Sequence, residues 1–268
     1  MDKPPVAPGG REGWAARVVW PLVLAMFSLV LWEGAVWLWE LPHYLLPAPS
    51  AIADVFVEKW QVLALHTGVT LSEVVGGALL GIAVGMVLGV ALFLLPTLER
   101  ALYPLLVTSQ NVPVFALAPL LVLWFGYGMA SKVVMAAIIV FFPVTLAMLG
   151  GLKRTDADML RMFRAMGATR WQILWKLRLP AALPSLFAGL KLSAVYSTIG
   201  AVIGEWVGAG AGLGYLMLSA NAQLRIAMVF AAILCLTPIG LLLLGLVTWL
   251  EARLLPWQHL SRDTPPPA

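Results

Sequence analysis

The chain has 268 residues, 61% hydrophobic and 11% charged, with a net charge of +4 and a single cysteine. With a mean hydropathy of +0.92, this balance excludes a soluble globular domain and indicates a membrane protein. The lone Cys235, inside the last apolar run, excludes a disulfide framework and a thiolate metal cluster.

A hydrocarbon core about 30 Å thick needs about 20 apolar residues per helix. Six runs meet that demand, at about 18–38, 71–95, 102–125, 133–149, 186–207 and 227–250. The first is too long, and too poor in small residues at its end, for a removable signal. The Pro- and Gly-rich stretch 1–17 and the segment 255–268 are expected to be flexible cytoplasmic tails flanking a transmembrane domain at 18–254. The positive excess fixes orientation: Lys3, Arg11, Arg17, Arg100, Arg253, Arg262 and the cluster at 153–178 fall inside. Only Lys59, Lys132 and Arg225 fall outside. The basic segments carry no repeated aromatic platform, so no nucleic-acid partner is expected.

After the first span, Pro47 and Pro49 end one helix, and Ser50 is placed to cap another running toward Gln61. Ile52, Val55, Phe56, Trp60 and Leu63 keep helical spacing beside Asp54 and Glu58, which predicts an amphipathic helix at the outer interface. Glu33, among Trp32, Trp37 and Trp39, and Glu73, at the start of the second span, are expected near the same interface. His43, His66 and His259 show no metal spacing and are read as sparse interfacial residues without a catalytic role. Along the second span Gly77, Gly81, Gly85 and Gly89 recur at intervals of four, a face suited to close helix packing. Pro113 breaks the third span just after Ser109, Gln110 and Asn111. A polar break at membrane depth must face protein or water, which makes it a candidate lining for a path.

Between the fourth and fifth spans hydropathy falls. Lys153, Arg154, Arg161, Arg164, Arg170, Lys176 and Arg178 stand there against Asp156 and Asp158. Thr155 or Asp156 is placed to cap a helix through Met166, Gly167 to stop it, and Thr169 to start a second short helix ending near Pro180. Leu160, Met162, Phe163, Met166, Trp171, Ile173, Leu174 and Leu177 give this projection more apolar surface than a solvated loop keeps, so it wants a partner.

The stretch "GATRWQILWKLRLPAALPSL" resembles the cytoplasmic-loop motif of ABC importer permeases: Glu-Ala-Ala, three residues, Gly, nine residues, Ile, one residue, Leu-Pro. Gly167, Leu179 and Pro180 match it, Leu177 replaces the Ile, and Arg161, Met162 and Phe163 replace Glu-Ala-Ala. "LPAPSAIADVF", "VPVFALAPLLVLWFGYGMASKV" and "GEWVGAGAGLGYLM" are similar to the nitrate, sulfonate and taurine class. Within it the wording is most similar to permeases for thiamine-precursor pyrimidines such as hydroxymethylpyrimidine.

The resemblance implies an all-α, six-span, multi-pass protein of the bacterial inner membrane with both termini cytoplasmic. It implies a pair of such chains, a dimer of cytoplasmic ATPases that bind ATP and Mg, and an external substrate-binding protein. The coupling segment, about 152–182, would dock on the ATPase through Asp156, Asp158, Arg161, Arg164, Gly167, Ala168, Thr169, Arg170, Trp171, Leu179 and Pro180. No phosphate-binding loop, zinc-protease helix or nucleophile elbow occurs, so no catalytic residue, bound cofactor or metal is assigned to this chain.

A charge inside a span is costly. Glu205 with Tyr196, Ser197 and Thr198 either faces a translocation path opposite Ser109, Gln110 and Asn111, or makes an interhelical bond that only holds the bundle. The rival readings are an ion-driven secondary transporter with Glu205 as coupling group, a permease for sulfonate-, taurine- or nitrate-like anions, and an intramembrane enzyme or structural subunit.

Overall fold

Backbone groups in lipid have no water to bond, so a spanning chain closes its hydrogen bonds within helices. The computed structural model, which describes residues 12–256, is built of helices with no strand among the described residues. Residues 1–11 and 257–268, most of the two expected tails, lie outside the described residues.

Helix α1 (Glu12–Leu38) begins within the stretch expected as a tail. It exposes Leu22, Leu24, Phe27 and Val30, an apolar surface suited to acyl chains. Helix α2 (Pro49–Glu58) starts with its proline in the first turn, where a missing N–H costs nothing. Ser50 does not cap it. The Ser50 amide and hydroxyl instead donate to the Glu33 carboxylate at 3.0 and 2.7 Å, tying α2 to α1. Helix α3 (Trp60–Leu94) is 35 residues, about 50 Å, and starts well before the expected boundary at 71. The polar stretch around His66, Thr70 and Glu73 reads as a loop only while those groups need water. Here all three are buried.

Helix α4 (Pro96–Ser109), a 3-10 turn (Val114–Leu117) and α5 (Ala118–Phe125) form one segment bent by 97° at the break around Pro113. Helix α6 (Met129–Lys153) then lies on the glycine ladder of α3. A Cβ on Gly81 would stand 2.7 Å from Val140, on Gly85 2.7 Å from the Phe141 carbonyl, and on Gly89 2.8 Å from Met148. Contact partners rise in number along both helices, so α3 and α6 run parallel. The chain must therefore return across the membrane between them, and the bent α4–α5 segment makes that crossing, the third of six.

Helix α7 (Ala157–Ala165) and α8 (Arg170–Ile173) follow. A π turn (Leu174–Arg178) joins α8 directly to α9 (Leu179–Trp206). The second short helix therefore does not end near Pro180 but continues into the fifth span. Pro180 lacks an N–H and crowds the preceding turn of an α-helix; the wide π turn before it relieves both. Helix α9 packs antiparallel on α6 through small residues, with Gly189 against Ala147 and Pro143, and Gly200 against Ala136. Helix α10 (Leu213–Ala222) is a short outer piece, and α11 (Ile226–Leu254) closes the bundle. An outer core joins Leu63, Val74, Ala201, Leu213 and Ala231. An inner core joins Val144, Leu152, Leu174, Ala182 and Leu186, carrying the root of the α7–α8 projection into the bundle.

Candidate functional site

Three polar regions stand out, and the first is the projection between α6 and α9. Asp156 caps α7, its Oδ1 accepting from the Asp158 and Met159 amides at 2.8 and 2.9 Å. Gly167 sits at φ +75°, a left-handed conformation that ends α7 and that a side chain adopts only with strain. Thr169 opens α8 with a capping box: its hydroxyl accepts from the Gln172 amide at 3.3 Å, and the Gln172 side chain accepts from the Thr169 amide at 2.8 Å. The projection has two faces. Ile173, Leu174 and Leu177 are buried, while Arg161, Arg164, Arg170 and Trp171 are exposed and Ala168 is half-buried. Leu179 is half-buried and Pro180 exposed where α9 begins.

Arg178 braces this root. Its guanidinium lies 4.6 Å over the Phe93 ring at the end of α3, and its Nη1 donates to the Leu152 carbonyl of α6 at 3.3 Å. Lys153 pairs with Glu99, and Lys191 of α9 pairs with Glu251 of α11. The inner ends of the spans are thus tied by ion pairs and a cation–π contact.

The second region is a cavity of about 650 Å³ lined by Ser109, Gln110, Ile138, Phe141, Phe142 and Tyr196, among other apolar groups. Among the described residues, no charged side chain lines it. The structure therefore brings Ser109 and Gln110 together with Tyr196, but not the whole expected set. Asn111 turns back to donate to the Thr108 carbonyl at 3.3 Å. Ser197 is buried and donates to the Ala194 carbonyl, and Thr198 points toward Gly240 of α11.

Glu205 belongs to the third region, a buried polar knot at the outer end. Its Oε1 accepts from the Thr70 hydroxyl at 2.6 Å, and its Oε2 accepts from the Gly214 and Tyr215 amides, at 2.5 and 3.4 Å. The Leu213 amide donates to Thr70 at 2.7 Å and the Gly212 amide to His66 Nδ1 at 2.9 Å. These side chains satisfy the free amides at the start of α10. Gly212, at φ +113°, leaves the room that the Glu205 carboxylate fills. Glu205 thus bonds across helices, from α9 to α3 and α10.

Three outer-interface expectations need correction. Glu73 is buried rather than hydrated, about 20 Å along α3 from its start, with Oε2 lacking a hydrogen-bond partner. His66 is buried in the knot rather than interfacial. Lys132 does not reach the outer water: it is buried, and its ammonium donates to the Tyr127, Gly128 and Gly208 carbonyls. The signal that could have found this knot is the spacing of His66, Thr70 and Glu73 at i, i+4 and i+7, one face of a helix. Nothing in the sequence announced the contact of Arg178 with Phe93.

Comparison with known proteins follows this geometry. The family described as binding-protein-dependent transport system inner membrane component matches residues 81–256. A probable ABC transporter permease of Haemophilus influenzae is 43% identical over 88% of this chain and 97% of its own. The formylaminopyrimidine transport permease ThiX of Halalkalibacterium halodurans is 39% identical over 89% of this chain and 95% of its own. The riboflavin transport permease RibX of Chloroflexus aurantiacus is 38% identical over 90% and 92%. Among solved structures, a chain of the MetNI methionine ABC transporter in an inward-facing conformation shares the fold, with a TM-score of 0.64, 20% identity, and 73% of this chain covered against 96% of that one.

Proposed function

The chain belongs to the family of binding-protein-dependent transport system inner membrane components, and from that premise we propose that it imports a small uncharged heteroaromatic solute, a thiamine-precursor pyrimidine. As a permease of a binding-protein-dependent ABC importer it is a multi-pass inner-membrane subunit, and ATP is hydrolysed by a separate ATPase subunit. That assignment displaces the ion-driven and enzymatic alternatives. A cavity without a charged group among the described residues carries the substrate reading: Ser109, Gln110 and Tyr196 offer polar atoms in a lining shared with Phe141 and Phe142. Such a lining suits a flat ring with donors and acceptors. A sulfonate or nitrate would meet no cation there. The relatives named for formylaminopyrimidine and riboflavin transport support the same class.

Two copies would place their cavities about a shared axis, with the exposed Phe115, Leu123 and Trp124 covered by the partner. Nucleotide-driven closure of the ATPases would draw the two projections together. ATP does this only by binding one arrangement more tightly than the other. With α8 continuous through the π turn into α9, a displacement of the projection passes along a helix into the span beside the cavity.

Proteoliposomes holding the chain, its ATPase and its binding protein provide the test. ATP-dependent uptake of labelled hydroxymethylpyrimidine, reduced by Gln110→Ala and by Tyr196→Ala, is the expected result. Uptake of taurine or an alkylsulfonate in preference, unchanged in both variants, would replace this reading with the anion one.

A further inference from the structure

Where the family resemblance expects Glu-Ala-Ala, α7 carries Arg161, Met162 and Phe163. The fold shows how the charges around that replacement are used. Asp156 is occupied as the cap of α7, and Asp158 pairs with Arg161. Lys153 pairs with Glu99, and Arg178 lies against Phe93 and the Leu152 carbonyl. Arg154, Arg164, Arg170 and Lys176 are all exposed, and no carboxylate stands within ion-pair distance of them among the described residues. Beside these cations Met159, Met162 and Met166 form an exposed stripe at i, i+3 and i+7. Methionine is flexible and polarisable, and suits a surface that must fit another protein.

From these observations we infer that the ATPase subunit coupled to this chain receives the α7–α8 projection in a groove with an apolar floor for the methionines and a rim of carboxylates for the arginines. This polarity is opposite to the one a Glu-Ala-Ala projection implies. The inference rests on the importer reading above and adds the chemistry of the partner. An anionic lipid surface fits the fold less well. An interfacial helix puts its apolar face into the bilayer, whereas here Leu160 and Phe163 are half-buried and Ile173, Leu174 and Leu177 are buried against the chain's own body. What remains exposed is a mixed Arg and Met surface, suited to a shaped and charged partner.

Affinity of the full-length chain for its cognate ATPase, measured in neutral-lipid nanodiscs at rising salt, tests this. The double variant Arg164→Glu/Arg170→Glu is expected to bind at least about tenfold more weakly at low salt, and wild-type affinity is expected to fall as salt rises. Reversing rim carboxylates of the ATPase to lysine is expected to restore binding to the double variant. Met162→Ser, which leaves the charge in place, is expected to weaken binding without changing its salt slope, and unchanged melting of both variants guards against misfolding. Affinity indifferent to salt and to charge reversal, or tightened by it, would overturn the acidic rim while leaving the importer reading intact. Salt-dependent binding that arises only in anionic bilayers would assign the cations to lipid instead. Failure of the wild-type chain to bind its ATPase at all would overturn the coupling reading itself.

Discussion

The two ends of the bundle use scarce polar groups in opposite ways. At the outer end His66, Thr70 and Glu205 are buried and bonded to α10. At the inner end most of the arginines of the coupling segment stand in water, and its two acids serve a cap and an exposed pair. Buried groups are costly to leave unpaired, so the outer knot is fixed; exposed ones gain little alone and stay available to a partner. Conformational response is therefore expected to originate at the projection and to leave the knot intact.

Substitutions can break that contrast, and the largest effect is expected at the knot. Glu205→Ala leaves the Thr70 hydroxyl and the Gly214 amide without their acceptor, at about 3 kcal/mol or more. Melting of the detergent-purified chain should fall by roughly 6–12 °C, and a Tm near wild type would show the knot to be dispensable. Gly167→Val should act oppositely, because it strains a left-handed position with nothing within 4 Å of the added Cβ. The strain is about 1–2 kcal/mol, so Tm falls by roughly 2–8 °C, less than at the knot, while ATP-driven uptake falls at least about tenfold through lost docking geometry. Wild-type uptake with wild-type stimulated ATPase would remove Gly167 from the coupling path.

Arg178→Ala sits between the two regions. It should lower uptake per ATP hydrolysed several-fold while costing about 1 kcal/mol of stability, and the ratio of transport to hydrolysis is the measurement that separates it from a packing defect. Equal loss of both would make Arg178 structural only. The smallest effect is expected at Glu33→Gln, where an exposed bond to Ser50 is altered but an acceptor remains. Its uptake and Tm should match wild type, and a large loss would show that the α1–α2 tie takes part in transport.

What the sequence disclosed follows the same division. Gly77, Gly81, Gly85 and Gly89 announced the α3–α6 contact because helix periodicity and residue size suffice to read it. Asp156, Gly167 and Thr169 announced the caps of the projection because capping is local. The outer knot is not legible as a unit because its partners lie 143 and 146 positions apart, as Leu213 with Thr70 and Gly212 with His66 do. A polar run at the head of α3 resembles a loop until α10 is folded over it. Of the residues expected along a path, Ser109, Gln110 and Tyr196 share a cavity. Ser197 and Thr198 lie on other faces of α9 and donate to the Ala194 and Val195 carbonyls.

The π turn at Leu174–Arg178 has a consequence for phase. A π turn amounts to one extra residue in an α-helix. Deleting one residue there, such as Trp175, should let the helix close as ordinary α with the bearing of everything before it unchanged, whereas winding all five residues as α would turn it by about 100° relative to α9. The arginines would then face a different quarter of the compass with every side chain of α7 still present. The chain thus holds the bearing of its docking surface in the winding of five residues.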